Sequence, residues 1–233
     1  MKATILQSNY VPWKGYFDLI HDVDLFVFYD CVKYTKNDWR NRNVICTKNG
    51  IQWLTIPVSS TATGQMIEEV QLPDSKWRKQ HLRSLEVGYG RAPFYSQLRE
   101  LMTEFLCDDE ILLLSEMNQR LITHIARRLE CKTVFRNARE FPLPAGRVER
   151  LVHILKSVGA TQYITGHSAA NYLTGHEFKF MQANIDLRFK QYGPYKQYEQ
   201  LSSPFNDNVS ILDLVANVSW SNIPEFIWNN SDA

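Results

Sequence analysis

Residues 3–30 read ATILQSNYVPWKGYFDLIHDVDLFVFYD, and the order of apolar runs in that stretch decides the fold class. ATILQS is a short apolar run cut off by the loop Asn9–Trp13, and LFVFYD is a second. Both have the length and the β-branched or aromatic content of buried strands. Between them GYFDLIHDV sets Phe17, Ile20 and, less regularly, Leu19 on one side of a short helix. Strand, loop, helix, strand is the unit from which parallel sheets are built. A helical crossover makes the two strands parallel neighbours, with Gln7 and Asp30 near the same end of the sheet.

Working outward, NVICTKNGIQWLTIPV reads as a hairpin, with Asn49-Gly50 tolerating the positive φ of the turn. STATGQM reads as a flexible polar loop. DSKWRKQHLRSLEVGY reads as a helix capped by Asp74, with Trp77, His81 and Leu85 at steps of four on one face. APFYSQLRELMTEFL and DEILLLSEMNQRLITHIARRLE both carry helical periodicity and read as a helical pair. The chain then alternates again: strand KTVFR, a helix around GRVERLVHILKSVG, strand TQYITG, a helix around HEFKFMQAN, strand IDLRFKQY and the terminal helix SILDLVANV. The class is α/β, a parallel or mixed sheet with flanking helices and a helical insertion or lobe. Residues 1–233 form a single domain, with room for a helical subdomain near 74–130.

Composition narrows the function classes. With 233 residues, 44% apolar and 22% charged, the chain buries a real core. The balance of 26 Lys and Arg against 25 Asp and Glu gives a net charge of +1, so no long-range field steers it to nucleic acid or an anionic membrane. Cys31, Cys46, Cys107 and Cys131 show neither CxxC pairs nor Cys/His spacing, so no zinc or other metal site and no disulfide framework are expected. The apolar run EILLLSEMNQRLITHI is broken by charges and MKATILQ has no leader pattern, so the expectation is a cytoplasmic protein with no transmembrane segment.

In a parallel α/β unit, ligands sit in the loops after the strands' carboxyl ends. Gln7, Asn9, Tyr10, Trp13 and Tyr16 in the first such loop offer amide, phenol and stacking groups ahead of a helix N-terminus. The second loop follows Asp30 and carries Tyr34, Lys36, Asn41, Arg42 and Asn43. There Arg42 and Lys36 suit phosphates, and the asparagines suit a base or sugar edge; the bland alternative is a solvated basic turn. Gly166, Tyr192, Lys196 and Gln197 in the later YITG and QYGPYKQY segments are placed to close the pocket from the other half, with peripheral packing the competing reading.

Taken together, QSNYVPWKGYFDLI, VFYDCVKYTKNDWRNRNVI, WLTIPV, WRKQHLRSL, YITG and SILDL resemble the WbqC-like family of bacterial surface-polysaccharide gene clusters, over nearly the whole chain. Ser8 stands where that family commonly has Pro, and VSWSN where it commonly has Gly. The resemblance implies N-acylation, including aminoacylation or glycyl transfer, of the amino group of a nucleotide-linked amino-deoxy sugar in O-antigen biosynthesis. dTDP-4-amino-4,6-dideoxyglucose is one candidate acceptor. No tightly bound cofactor is implied. The co-substrate is an acyl thioester on coenzyme A or on the phosphopantetheine of an acyl or peptidyl carrier protein.

Amide formation from a thioester needs an oriented amine, a proton acceptor and a stabilised oxyanion. No GxSxG elbow or Cys/His pairing points to an acyl-enzyme, so direct attack is the simpler scheme. His81 is the first choice of general base because imidazole titrates near neutrality. Its competitor role is a histidine packing beside Trp77. His167 and His176 are runners-up. Asp30 is the carboxylate that orients the base or binds the ammonium, whereas Asp213, near a helix start, reads equally as a buried hydrogen-bond acceptor. Two other classes stay open. PWKGY loosely resembles the PxxGH loop of nucleotidylyltransferases, which would mean ATP-dependent adenylyl transfer or amide ligation, although Tyr16 replaces the cationic His. A non-catalytic nucleotide- or nucleic-acid-binding module is the other, disfavoured by the net charge.

Overall fold

The computed structural model describes residues 1–48 and 50–228. Its first unit is β1 (Lys2–Leu6), α1 (Lys14–His21) and β2 (Leu25–Phe28), with the strands paired in parallel from Ala3↔Leu25 to Leu6↔Phe28. β2 is buried along its whole length, which is why it reads as an unbroken apolar run rather than an alternating one. β5 (Val134–Asn137) adds in parallel to β2, β6 (Gln162–Thr165) to β1, and β7 (Asp186–Phe189) to β6. The order β5-β2-β1-β6-β7 therefore steps outward from β1 in one direction and later in the other. The reversal lies between β1 and β6. That is the switch point at which open α/β sheets leave a crevice beyond their carboxyl ends.

Each face of the sheet has its own core. One joins Phe26 and Phe28 to α1, α2 (Lys76–Tyr89), α3 (Tyr95–Leu106), α4 (Leu114–Arg128) and α8 (Ile211–Asn217). The other joins Ala3, Ile5, Val27 and Tyr29 to α5 (Arg147–Ser157) and to the short helices α6 (Ala170–Leu173) and α7 (Glu177–Gln182). The hairpin β3 (Arg42–Thr47) and β4 (Gly50–Thr55) forms a separate two-stranded sheet, and Asn49 of its turn lies outside the described residues.

Several boundaries differ from the sequence reading. Asp74 accepts from the Lys76 N–H at 3.4 Å, but Ser75 occupies the cap position of α2. Helix α4 starts only at Leu114, because the preceding residues are drawn into extended pairing: Leu72 N–H donates to Leu112 O, and Gln71 bridges Leu113. The segment STATGQM is not a free loop. It folds into a short helical turn over Ser60–Gly64, and Gln65–Glu68 then runs beside residues 30–34 through Tyr34 N–H to Gln65 O, Ile67 N–H to Val32 O and Glu68 N–H to Asp30 O. Helix α3 packs on α2 and α8 and meets α4 through side chains, Phe105 against His124 and Glu100 with Arg128.

Candidate functional site

The loops after β1 and β2 do converge, and they converge by locking onto each other. Ser8 N–H donates to Asp30 Oδ1 at 2.8 Å, Tyr10 N–H to Trp39 O at 2.9 Å, and Arg40 to Asn9 Oδ1. Asn43 Nδ2 donates to the Tyr10 and Val11 carbonyls at 3.1 and 2.9 Å, and Ser210 Oγ to Val11 O at 2.7 Å. Those bonds hold Val11 at φ 37°, a region that a β-branched residue enters only when its surroundings over-determine it. The loop is a rigid floor.

This lock uses up many of the groups read from sequence as ligand contacts. Tyr10 and Tyr34 lie in the core, and Tyr16 is buried with its hydroxyl donating to Gln7 O at 3.0 Å. Asn41 donates to Ile56 O at 2.8 Å. Arg42 donates to Asn37 O at 2.6 Å and lies over the Trp53 ring, while Lys36 is exposed. Lys14 is buried and paired with Asp207 at 2.5 Å, so the PWKGY turn has no free cation to offer a triphosphate. Trp13 packs against Tyr192 and Tyr195 and lies over Gly15, where even a methyl group would meet its indole well inside contact distance. Gly166 faces the Tyr192 hydroxyl, whereas Lys196 pairs with Glu225 on the surface and Gln197 is exposed.

His81 is placed against the role of general base. Its ring is 5% exposed, edge-on to Trp77, with Nδ1 at 2.9 Å from the Tyr10 hydroxyl and Nε2 at 3.1 Å from Thr55 O. The carbonyl can only accept, so Nε2 carries the proton and Nδ1 accepts from Tyr10. Burial depresses the imidazole to about 4, against a smaller rise from the Thr55 bond. A neutral ring with both nitrogens engaged ties α2 to the β1 loop and to β4. Among the runners-up, His167 is exposed and stacks on Phe189, and His176 is exposed at the N-cap position of α7 without a side-chain cap bond.

Asp30 is completely buried. Ser8 N–H occupies one of its oxygens and Gln119 Nε2 the other at 2.7 Å; Gln119 in turn accepts from Asn137 Nδ2 at 3.2 Å. Burial raises its pKa, and the Gln119 and Ser8 bonds and the Arg40 charge only partly offset this. It is a positioning group that joins the ends of β1, β2 and β5, with no face open to substrate. Asp213 takes the hydrogen-bond role: it accepts from Tyr89 at 2.8 Å, Tyr198 at 2.6 Å and Gln200 at 2.8 Å. A carboxylate that the sequence reading passed over is better exposed. Glu68 is half-buried beside Asp30, its Oε2 is enclosed without a hydrogen-bond partner, and burial raises its pKa, with Arg139 opposing and Asp30 reinforcing the shift.

Open space lies on the other side of the lock, at the switch point itself. A cavity of about 450 Å³ is lined by Ile5, Leu6 and Gln7 of β1 and its exit, Tyr29 and Val32 after β2, Gly146, Arg147, Arg150 and Leu151 at the start of α5, and Tyr172 of α6. Gln7 is the sequence-predicted contact that reaches it. Its floor is apolar, one wall is cationic and, among the described residues, no carboxylate lines it. A larger hollow of about 780 Å³ lies over α4 and β5. Arg120–Asp108, Arg128–Glu100 and Arg136–Glu140 pair part of its charged rim and leave Arg127 and Arg139 without an ion pair among the described residues; we place the site in the smaller cavity because that one lies at the exit of β1, beside Gln7. The missed residues had one visible signal, two arginines in the first turn of a helix that follows PLPAG.

The fold defines a doubly wound α/β protein with a cleft beside the carboxyl end of β1, next to its topological switch point. The chain belongs to the WbqC-like protein family, whose model matches residues 7–225. It is 38% identical over 227 residues, 97% of each chain, to an uncharacterized protein of Mycobacterium tuberculosis. No solved structure matches it significantly. Among the described residues no helix is long and apolar enough to cross a membrane.

Proposed function

We propose that this protein is an N-acyltransferase that moves an acyl or aminoacyl group from a coenzyme A or carrier-protein thioester to the amino group of a nucleotide-linked amino-deoxy sugar, as in O-antigen assembly. The observation that carries the reading is the cleft beside the carboxyl end of β1, with a rigid loop on one side; Glu68 lies outside its lining, on the segment that pairs with Val32 of the cleft wall through the Ile67 N–H, so its carboxyl has to turn toward the cleft to act. Glu68, rather than the buried neutral His81, serves as the general base. A carboxylate whose pKa is raised by burial is a stronger base than one in water, and an amino sugar arrives as an ammonium ion. Glu68 removes the proton, and the freed nitrogen attacks the thioester carbonyl to form the C–N bond. The tetrahedral intermediate then collapses with cleavage of C–S, and the still-cationic nitrogen gives up its second proton to the departing thiolate, which leaves as the thiol. Asp30 holds the loops in register without touching the reacting atoms.

The test is a mass-spectrometric screen of nucleotide-linked amino sugars, dTDP-4-amino-4,6-dideoxyglucose among them, against coenzyme A and carrier-bound thioesters. The expected result is an acceptor heavier by one acyl group. No mass gain with any pair in the presence of folded protein overturns the proposal.

A further inference from the structure

The cavity at the switch point holds two arginines whose chemistry the acyl-transfer scheme does not use. Arg147 and Arg150 are the first and fourth residues of α5. The Arg147 guanidinium lies 3.4 Å from the centre of the Tyr172 ring, and Arg150 is held by its Nε donating to Pro144 O at 2.9 Å and by the Tyr29 hydroxyl. Among the described residues neither forms an ion pair with a carboxylate, whereas the acid of the same turn, Glu149, is paired with Lys179. Two cations oriented by aromatic rings, without an ion pair and facing a cavity that no acid lines among the described residues, suit an anion with several oxygens. Gly146 enters the helix at φ 93°, where a side chain would be strained and would run into the Glu149 carboxyl, which folds back over the first turn, so the anion's contacts there are the two arginine side chains rather than the helix N–H groups.

The shape of the cavity narrows the anion. A volume of about 450 Å³ with Ile5, Leu6, Val32 and Leu151 below the arginines exceeds what a lone phosphate fills and suits a diphosphate carrying an organic ring. We infer that Arg147 and Arg150 hold the diphosphate of a nucleoside diphosphate or its sugar ester, with Gln7 and Tyr29 reaching its polar edge. This replaces Arg42 and Lys36 as the phosphate contacts, and it rests on the reading that the acceptor is nucleotide-linked.

Titration calorimetry on the full chain tests it, with dTDP, UDP, GDP and inorganic pyrophosphate as probes, and Arg147→Gln, Arg150→Gln and Arg42→Gln as variants checked by thermal melts. At least one nucleoside diphosphate is expected to bind the wild type. Its affinity should drop about tenfold or more in each α5 variant, as expected on losing a charge-assisted hydrogen bond, and stay unchanged in Arg42→Gln. Should Arg150→Gln unfold, the exposed Arg147 decides alone. Equal nucleotide affinity in wild type and the α5 variants overturns the site while leaving a nucleotide-linked acceptor intact. Pyrophosphate binding that depends on the arginines, without binding of any nucleotide, supports the diphosphate site and removes the nucleotide-linked acceptor. Failure of every probe to bind the folded wild type overturns the site, and acyl transfer is then judged by the mass screen alone.

Discussion

Replacing His81 by Asn separates a structural imidazole from a catalytic one through the pH dependence of stability. The folded state keeps the ring neutral down to about 4, whereas an unfolded chain protonates it near 6.5. Because the folded pKa is the lower one, the unfolded state binds more protons between these values, and stability falls as pH falls through that window. Integrating the linkage between pH 7.5 and 4.5 gives a loss of about 2 to 3 kcal/mol from this one side chain. At pH 7.5 the variant loses the bond to Thr55 O, and that buried acceptor is left unpaired at a cost of about 1 to 3 kcal/mol.

The two effects predict a crossing pattern in urea denaturation. Wild type exceeds His81→Asn at pH 7.5, and the gap narrows by about 2 to 3 kcal/mol at pH 4.5 because the variant has no imidazole to protonate. The difference between the two proteins isolates His81 from the carboxylates that titrate in the same range. Equal gaps at both pH values would falsify the assignment of a neutral, doubly bonded ring. A variant as stable as wild type yet devoid of transfer activity would return His81 to the role of base.

Other perturbations follow from the same contacts. Glu68→Gln keeps the shape of the side chain and removes its basicity, so transfer should slow by about 10²- to 10⁴-fold with the thermal midpoint nearly unchanged; full turnover in the variant would assign proton removal elsewhere. Lys190→Met strips the partner from Asp18, which is buried and lies 3.0 Å from the ammonium, and should cost about 3 to 5 kcal/mol in urea unfolding. A cost below that of an ordinary surface change would mean that Asp18 is already protonated. Asn43→Ala releases the Tyr10 and Val11 carbonyls and should destabilise by about 1 to 3 kcal/mol, with faster hydrogen exchange in the loop after β1; unchanged exchange would show that Ser210 alone holds that loop.

The parallel β1–α1–β2 unit was legible because β2 is buried on both faces and a helix of compatible periodicity precedes it. The meeting of the loops after β1 and β2 was legible from the same topology, since both leave the sheet at its carboxyl edge. What the residues in those loops touch was not. The spacing of Trp77, His81 and Leu85 marks a shared helix face, but whether the imidazole on that face meets solvent or protein depends on Tyr10, 71 positions away. The amides and cations of the second loop likewise look available in one dimension. Folding turns Asn41 and Asn43 onto backbone carbonyls, which cannot be left unpaired once buried, and Arg42 onto Asn37 O and an indole.

The cavity was hidden for the opposite reason. Its β1 wall and its cationic wall are separated by 140 residues, and they become neighbours only because β6 docks beside β1 while β2 and β5 extend the other way. A basic first turn is unfavourable for an isolated helix, since the exposed N–H groups there already carry partial positive charge. Acidic residues normally occupy such positions, as Glu149 does in the first turn of α5, but Arg147 and Arg150 on either side of it run against that preference. The local cost is of the kind tolerated where a helix end must receive an anion, so the departure from helix-capping chemistry in GRVER is itself the sequence feature that points to the cleft. It follows that Arg147→Glu should suit the free helix better than the wild-type residue while abolishing nucleoside diphosphate binding. A protein stabilised by that change and still binding nucleotide at wild-type strength would sever the link between the basic turn and the ligand.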